Sequence, residues 1–92
     1  MNSDAESQKE AIYERIVEIA REVLNLQPGQ PVISGETKFT DDLGAESLDM
    51  AQFVMSLEEE YHEPIEDEQI MGLKTVQDAV DYIYNRFVKS DG

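Results

Sequence analysis

Apolar residues recur at steps of three and four along three separate stretches of this 92-residue chain. Because an α-helix completes a turn every ~3.6 residues, this spacing places the apolar side chains of each stretch on one helix face. No stretch shows a comparable alternation of apolar and polar residues, the pattern of a β-strand. The stripes are Ile12, Ile16, Ile19, Ala20, Val23 and Leu24; Met50, Phe53, Val54, Leu57 and Tyr61; and Val76, Ala79, Val80, Ile83 and Phe87. The chain is therefore predicted to be all-α.

Proline and glycine separate the three stripes. Residues 25–35 contain two prolines and two glycines, which end the first helix near Leu26 and predict a long loop. Pro64 ends the second helix, and residues 65–73 predict a short helical turn that stops at Gly72. We therefore expect a small bundle of three main helices and one short helix around a single core.

The second and the last main helix begin with capping signals. Serine is a favoured N-cap, so Ser47 is predicted to cap the second helix, and the carboxylates of Glu46 and Asp49 suit the positive end of its dipole. Thr75 is predicted to cap the last helix, with Asp78 three residues later as a weaker form of the capping box.

The length of the chain allows one small domain and no second one. We expect this domain at residues 10–89, between a polar N-terminal tail (1–9) and a short C-terminal tail (90–92). The chain contains no cysteine, which excludes disulfides and thiolate metal sites. No apolar run is long enough to span a membrane, and residues 1–9 lack the apolar segment of a secretory signal. A cytoplasmic or organelle-interior location is therefore the default, and we expect the cytoplasm. We also expect a monomer.

The charge of the chain is strongly negative and unevenly distributed. The chain has 21 acidic and 7 basic residues, a formal net charge of −14, and no Lys or Arg occurs between Lys38 and Lys74. Such a surface repels nucleic-acid phosphates and anionic lipids, and it attracts basic patches on proteins. We therefore expect protein partners with basic surfaces and no binding to nucleic acid.

The second main helix carries more apolar residues than one face can bury. Leu48, Ala51 and Met55 form a second stripe beside the first. One interpretation is a helix buried on two sides between its neighbours. The other is an exposed apolar strip with a charged rim that docks a partner. Methionine suits the second interpretation, since its side chain repacks readily against different partners.

The nine residues from Asp41 to Asp49 read Asp-Asp-Leu-Gly-Ala-Glu-Ser-Leu-Asp and resemble a motif of a known family. They resemble the prosthetic-group attachment site of acyl carrier proteins at nearly every position. Residues 53–61 resemble the second helix of that family, and residues 74–83 resemble its last helix. The similarity extends over residues 10–88. The chain is thus similar to a discrete acyl carrier protein of the bacterial or organellar type.

This resemblance implies a four-helix carrier fold and a protein that is a carrier, not an enzyme. At the position of Ser47, the family has a serine that bears 4′-phosphopantetheine through a phosphodiester bond. Acyl groups are held as thioesters on the thiol of that arm, so the lack of cysteine is no obstacle. The implied partners are a phosphopantetheinyl transferase and acyl synthases and acyltransferases with basic docking patches. The implied pathway is fatty acid biosynthesis or a dedicated route of lipid or polyketide metabolism.

The resemblance also implies roles for two sets of residues. The first set would dock partner enzymes on the second helix: Glu46, Leu48, Asp49, Ala51, Met55, Glu58 and Glu59. The second set would line an acyl pocket between the second and third main helices: Phe39, Val54, Leu57, Tyr61, Ile65, Leu73 and Ala79.

Three other functions fit parts of the pattern. A hydrolase would need a base for Ser47, yet the only histidine, His62, lies fifteen residues further on, and Asp49 replaces the second glycine of a Gly-x-Ser-x-Gly elbow. A calcium loop starting at Asp67 would place Met71 where an oxygen ligand is needed, so no metal site is expected. An unmodified acidic adaptor that binds basic partner proteins stays open as the alternative.

Overall fold

The computed structural model describes residues 3–29 and 31–88. Its regular elements there are α1 (Ser3–Val23), α2 (Ser47–Tyr61), α3 (Asp67–Met71) and α4 (Val76–Ile83), and α4 continues into a π-helical turn, Tyr84–Val88. Lys38 and Thr75 form an isolated antiparallel bridge, and this described part of the chain contains no strand. The predicted all-α fold of three main helices and one short helix is confirmed.

The first helix begins earlier than the sequence predicts. α1 starts at Ser3, so residues 3–9, which we expected in a polar tail, form its first turns. Glu6, Gln8 and Lys9 have good helix propensity, and Nζ of Lys9 lies 4.9 Å from the centre of the Tyr84 ring. The division into one domain and two tails otherwise stays a prediction, and residues 90–92 lie outside the described residues.

α1 is the centre of the bundle, because both α2 and α4 pack against it. Residues of the first predicted stripe are buried or half-buried: Ile12, Ile16, Ile19, Ala20, Val23 and Leu24. At the edge of the contact between α1 and α2, Nη2 of Arg15 lies 2.9 Å from Oε1 of Glu60. Apolar burial provides most of the stability of this arrangement, since exposed ion pairs contribute only ~0–1 kcal/mol.

α4 begins with the capping box that the sequence predicts. Oγ1 of Thr75 accepts a hydrogen bond from the backbone N–H of Asp78 at 3.1 Å, and Oδ2 of Asp78 accepts one from the N–H of Thr75 at 3.1 Å. The predicted apolar face is buried at Val76, Ala79, Val80 and Ile83. The side chain of Phe87, the last member of that stripe, lies outside the described residues.

The connector between α1 and α2 is joined to the start of α4 by backbone hydrogen bonds. The N–H of Val76 donates to the carbonyl of Thr37 at 3.0 Å. The N–H of Gln77 donates to the carbonyl of Gly35 at 2.8 Å. The long loop predicted from its prolines and glycines is therefore held against α4, which brings its later residues close to α2.

α2 ends before Pro64, as the sequence predicts. His62 follows the helix with φ at 62°, and its backbone N–H donates to the carbonyl of Glu58 at 2.7 Å. α3 is a single short helix, and Gly72 follows it as the predicted stop, although with a right-handed φ of −88°. These turns return the chain towards the start of α2.

Candidate functional site at the start of α2

Ser47 is the first residue of α2, and its side chain is exposed. The prediction that Ser47 caps this helix is wrong: the N-cap is Glu46, whose backbone N–H donates a 3.0 Å hydrogen bond to Oδ2 of Asp49. This bond is one half of a capping box, in which the side chain three residues after the cap accepts a hydrogen bond from the backbone N–H of the cap residue. Among residues 3–29 and 31–88, the Ser47 hydroxyl has no hydrogen-bond partner.

A tight turn before α2 fixes the position of Ser47. The N–H of Asp42 donates to the carbonyl of Lys38 at 3.0 Å, and the N–H of Lys38 donates to Oδ2 of Asp42 at 2.8 Å. Gly44 has φ at 73°, in the left-handed region that glycine adopts most readily. Ala45 is then buried in the core immediately before the helix. Hydrogen bonds and the burial of Ala45 therefore fix the backbone just before Ser47, and the Ser47 hydroxyl is exposed beside it.

A cavity of about 350 Å³ opens beside Ser47, between the turn, α2 and α3. We call it the outer cavity. Its apolar walls come from Phe39, Met50, Ala51, Ile70, Met71 and Leu73, and its polar groups from Thr40, Glu46, Ser47 and Lys74. This volume lies within the range of small-molecule sites. An ester formed at the hydroxyl would thus have apolar space next to it.

The residues predicted to line an acyl pocket lie in two different places. Phe39 and Leu73 line the outer cavity. Tyr61 is half-buried, and the other four are buried in the core: Val54, Leu57, Ile65 and Ala79. Pocket lining by these five residues stays a prediction.

Sequence reasoning missed three apolar residues of the outer cavity: Met50, Ile70 and Met71. Met50 belongs to the core stripe of α2, and its helical spacing gives no sign of a second contact. Ile70 and Met71 lie on α3, which approaches Ser47 only through the tertiary fold. No pattern within the sequence could have paired them with the serine.

The second stripe of α2 is exposed. Leu48 exposes 80% of its surface and Met55 exposes 58%, and Ala51 between them is exposed as well. Burial of α2 on two sides is therefore the wrong interpretation. We call these three residues the apolar strip. Glu59 lines the same shallow surface depressions as Met55, so an acidic side chain borders the strip.

The predicted docking acids differ in their surroundings. Glu46 and Glu59 are exposed, whereas Asp49 and Glu58 are half-buried. Each of the half-buried carboxylates accepts a hydrogen bond from a backbone N–H. The described structure therefore leaves Glu46 and Glu59 as the more accessible charges beside the strip.

The described residues bring neither the histidine of the chain nor a metal cluster to Ser47. His62, the only histidine of the chain, follows the far end of α2, about 22 Å from Ser47 at the helical rise. No group of three or more His, Cys, Asp or Glu residues in the described ranges could hold a metal ion. None of the helices described there is both long and apolar enough to cross a membrane.

Comparison with known protein families identifies the family of the chain. The chain matches the family model described as "Phosphopantetheine attachment site" over residues 14–83. This match covers well over half of the chain and includes α2 with its exposed serine. Domains of this family are carriers to which 4′-phosphopantetheine is covalently attached. The chain therefore belongs to the phosphopantetheine-attachment family, in agreement with its resemblance to acyl carrier proteins.

Proposed function

We propose that this protein is an acyl carrier protein, not an enzyme, and that Ser47 bears its 4′-phosphopantetheine arm. The observation that supports this role is the exposed hydroxyl of Ser47, which stands beside the outer cavity and takes no part in capping α2. The N–H groups at the start of α2 and the positive end of the helix dipole favour an anionic phosphate ester at this position. When bound, the arm supplies a thiol that holds acyl groups as thioesters.

Partner enzymes bind the apolar strip and the acids beside it. Leu48 and Met55 offer exposed apolar surface for the centre of an interface. Glu46 and Glu59 supply negative charge, which speeds association with a basic patch and fixes its register. We propose a phosphopantetheinyl transferase, acyl synthases and acyltransferases as these partners, each binding a carrier monomer.

The acyl groups belong to fatty acid biosynthesis or to a dedicated lipid or polyketide route. Intact mass spectrometry of the protein purified from its native source distinguishes these pathways. A ladder of straight-chain acyl masses identifies fatty acid synthesis, and a single unusual acyl mass identifies a dedicated route.

The carrier role is tested by incubating the protein with coenzyme A and a phosphopantetheinyl transferase. We expect the wild type to gain the mass of one phosphopantetheine group and Ser47→Ala to gain none. Ser56→Ala is the matched control, because Ser56 is the other serine of α2, and this variant should load like the wild type. An unmodified adaptor would gain no mass in any of the three proteins.

A further inference from the structure

Two side chains separate the outer cavity from a second space deeper in the bundle. Phe39 and Met50 line both spaces. The deeper space, which we call the inner void, is a packing gap too narrow for a water molecule. Its remaining walls come from Ala20, Val23, Leu24, Ala45, Asp49 and Phe53. Phe39 and Met50 therefore form a partition between the two spaces.

Phe39 is the fixed part of this partition. It exposes only 1% of its surface, and its ring centre lies 4.9 Å from that of Phe53. Its backbone N–H donates to the carbonyl of Lys74 at 3.1 Å, and its carbonyl accepts from the N–H of Ala45 at 2.9 Å. Main chain and side chain are thus both held, so the ring cannot move without disturbing the core.

Met50 is the adaptable part. It is half-buried against the core and lies on α2 three residues after Ser47, so both residues face the same side of the helix. A methionine side chain is unbranched and has three rotatable bonds, which lets it fill an irregular gap. Together with Phe39, its side chain therefore bounds the outer cavity on the side of the inner void.

We infer that Met50 limits the length of acyl chain that this protein encloses, an inference that rests on the proposed carrier function. A short acyl chain that the arm of Ser47 carries into the outer cavity gains apolar contacts there. Each methylene that leaves water in this way shifts the folding equilibrium roughly fourfold towards the native state. Once the chain reaches Met50, further methylenes stay in water and add nothing. Shortening Met50 joins the outer cavity to the inner void and extends this limit to longer chains.

The limit is measurable without any enzyme, because the chain contains no cysteine. The Ser47→Cys variant has a single thiol at the edge of the outer cavity. Its thiolate attacks the sulfenyl sulfur of an alkyl methanethiosulfonate, which forms a disulfide to the alkyl chain and releases methanesulfinate. A straight-chain series from methyl to decyl is coupled in this way, and the urea midpoint of unfolding is measured for each length.

The series is repeated in the Met50→Ala and Met55→Ala backgrounds. Met55 is the matched control, since it is a methionine of the same helix that lines neither the outer cavity nor the inner void. With Met50 intact, we expect the midpoint to rise with chain length and then reach a plateau. The plateau should begin at a longer alkyl chain in the Met50→Ala background. In the Met55→Ala background it should begin at the same chain length as with both methionines intact. A midpoint that never rises, or a plateau at the same length in all three backgrounds, overturns the inference.

A second variant guards against loss of the fold. Met50→Val removes less volume, so its plateau should begin between those of Met50 and Met50→Ala; circular dichroism of the uncoupled proteins reports their folding. If Met50→Ala does not fold, the test is Met50→Val alone. A plateau at a longer chain than with Met50 supports the inference, and a plateau at the same length overturns it. The carrier proposal has its own test, the gain in mass with coenzyme A and a phosphopantetheinyl transferase. An unmodified Ser47 contradicts the carrier proposal and removes the basis of the inference, whereas unchanged plateaus contradict only the role of Met50.

Discussion

The backbone N–H of Ile65 donates a 2.7 Å hydrogen bond to Oε2 of Glu58. This bond ties the segment after α2 back to the last turns of the helix. The neighbouring acid, Glu59, is exposed and forms no such bond to the described residues. Two adjacent glutamates that look equivalent in the sequence therefore differ: Glu58 supports the fold, whereas Glu59 is accessible to a partner.

We predict that Glu58→Ala destabilises the protein more than Glu59→Ala. Loss of the Glu58 carboxylate leaves a half-buried N–H without its acceptor, which costs about 1–2 kcal/mol in free energy of unfolding. The exposed Glu59 should contribute less than about 0.5 kcal/mol. Urea unfolding of both variants measures this difference. Equal losses would show that the hydrogen bond to Ile65 does not stabilise the fold.

Charge reversal at Glu59 should slow partner binding without disturbing the fold. In Glu59→Lys, a basic docking patch meets a like charge, so the association rate with the phosphopantetheinyl transferase should fall several-fold at low salt and less at high salt. Stopped-flow measurements at two ionic strengths test this. Glu14→Lys on α1 makes the same change of net charge at another exposed acid and serves as the control. Equal slowing in both variants would indicate a general effect of net charge.

Removal of the Ser47 hydroxyl should leave stability almost unchanged. Because Glu46 and Asp49 form the helix start, Ser47→Ala should change the free energy of unfolding by less than about 0.5 kcal/mol. Asp49→Ala removes the acceptor for the N–H of Glu46 and should cost about 1 kcal/mol. Thermal and urea unfolding give both values. A larger loss in Ser47→Ala than in Asp49→Ala would assign the cap to serine after all.

Tyr61 should make stability fall at alkaline pH. Burial raises the pKa of its phenol above the usual 10.0, the Glu60 carboxylate raises it further, and Arg15 partly opposes this. The folded pKa is therefore higher than the unfolded pKa. The contribution of Tyr61 is fully present below about pH 10 and is lost as the pH rises through the folded pKa.

Ultraviolet absorbance detects the ionised phenol in a pH titration. Subtracting the titration of Tyr61→Phe from that of the wild type isolates Tyr61 from the other three tyrosines. The difference should have its midpoint above the usual value. Tyr61→Phe should also lose stability less steeply than the wild type above about pH 10. A difference curve centred at or below the usual value would contradict the effect of burial.

The helices were predictable because each follows from a short stretch of sequence. The three- and four-residue spacing of Phe53, Val54 and Leu57 identified a face of α2 that is indeed buried. Thr75 and Asp78 formed the expected capping box, since both of its partners lie within four residues. Local patterns thus specified the order of the helices and the faces that meet in the core.

The start of α2 shows where residue type misled the prediction. Serine is a favoured cap, which predicts Ser47 as the N-cap, whereas the cap in the structure is Glu46 with an acid three residues beyond it. The outer cavity was beyond prediction for a different reason. Its walls bring Phe39 together with Ile70 and Leu73, which lie more than thirty residues away along the chain. Such proximity arises from packing, and spacing within one helix does not report it.

Because Glu46 caps α2, the unmodified protein and the protein with phosphopantetheine on Ser47 should differ little at the start of this helix. Esterification of Ser47 breaks no hydrogen bond to a described residue, so both forms can share one helix start. An enzyme that must discriminate between them would gain little from the backbone there and would have to sense the added phosphate or the arm itself. The Glu46–Asp49 hydrogen bond maintains the start of the helix, whereas the Ser47 hydroxyl receives the arm. A substitution that changes one of these functions therefore need not disturb the other.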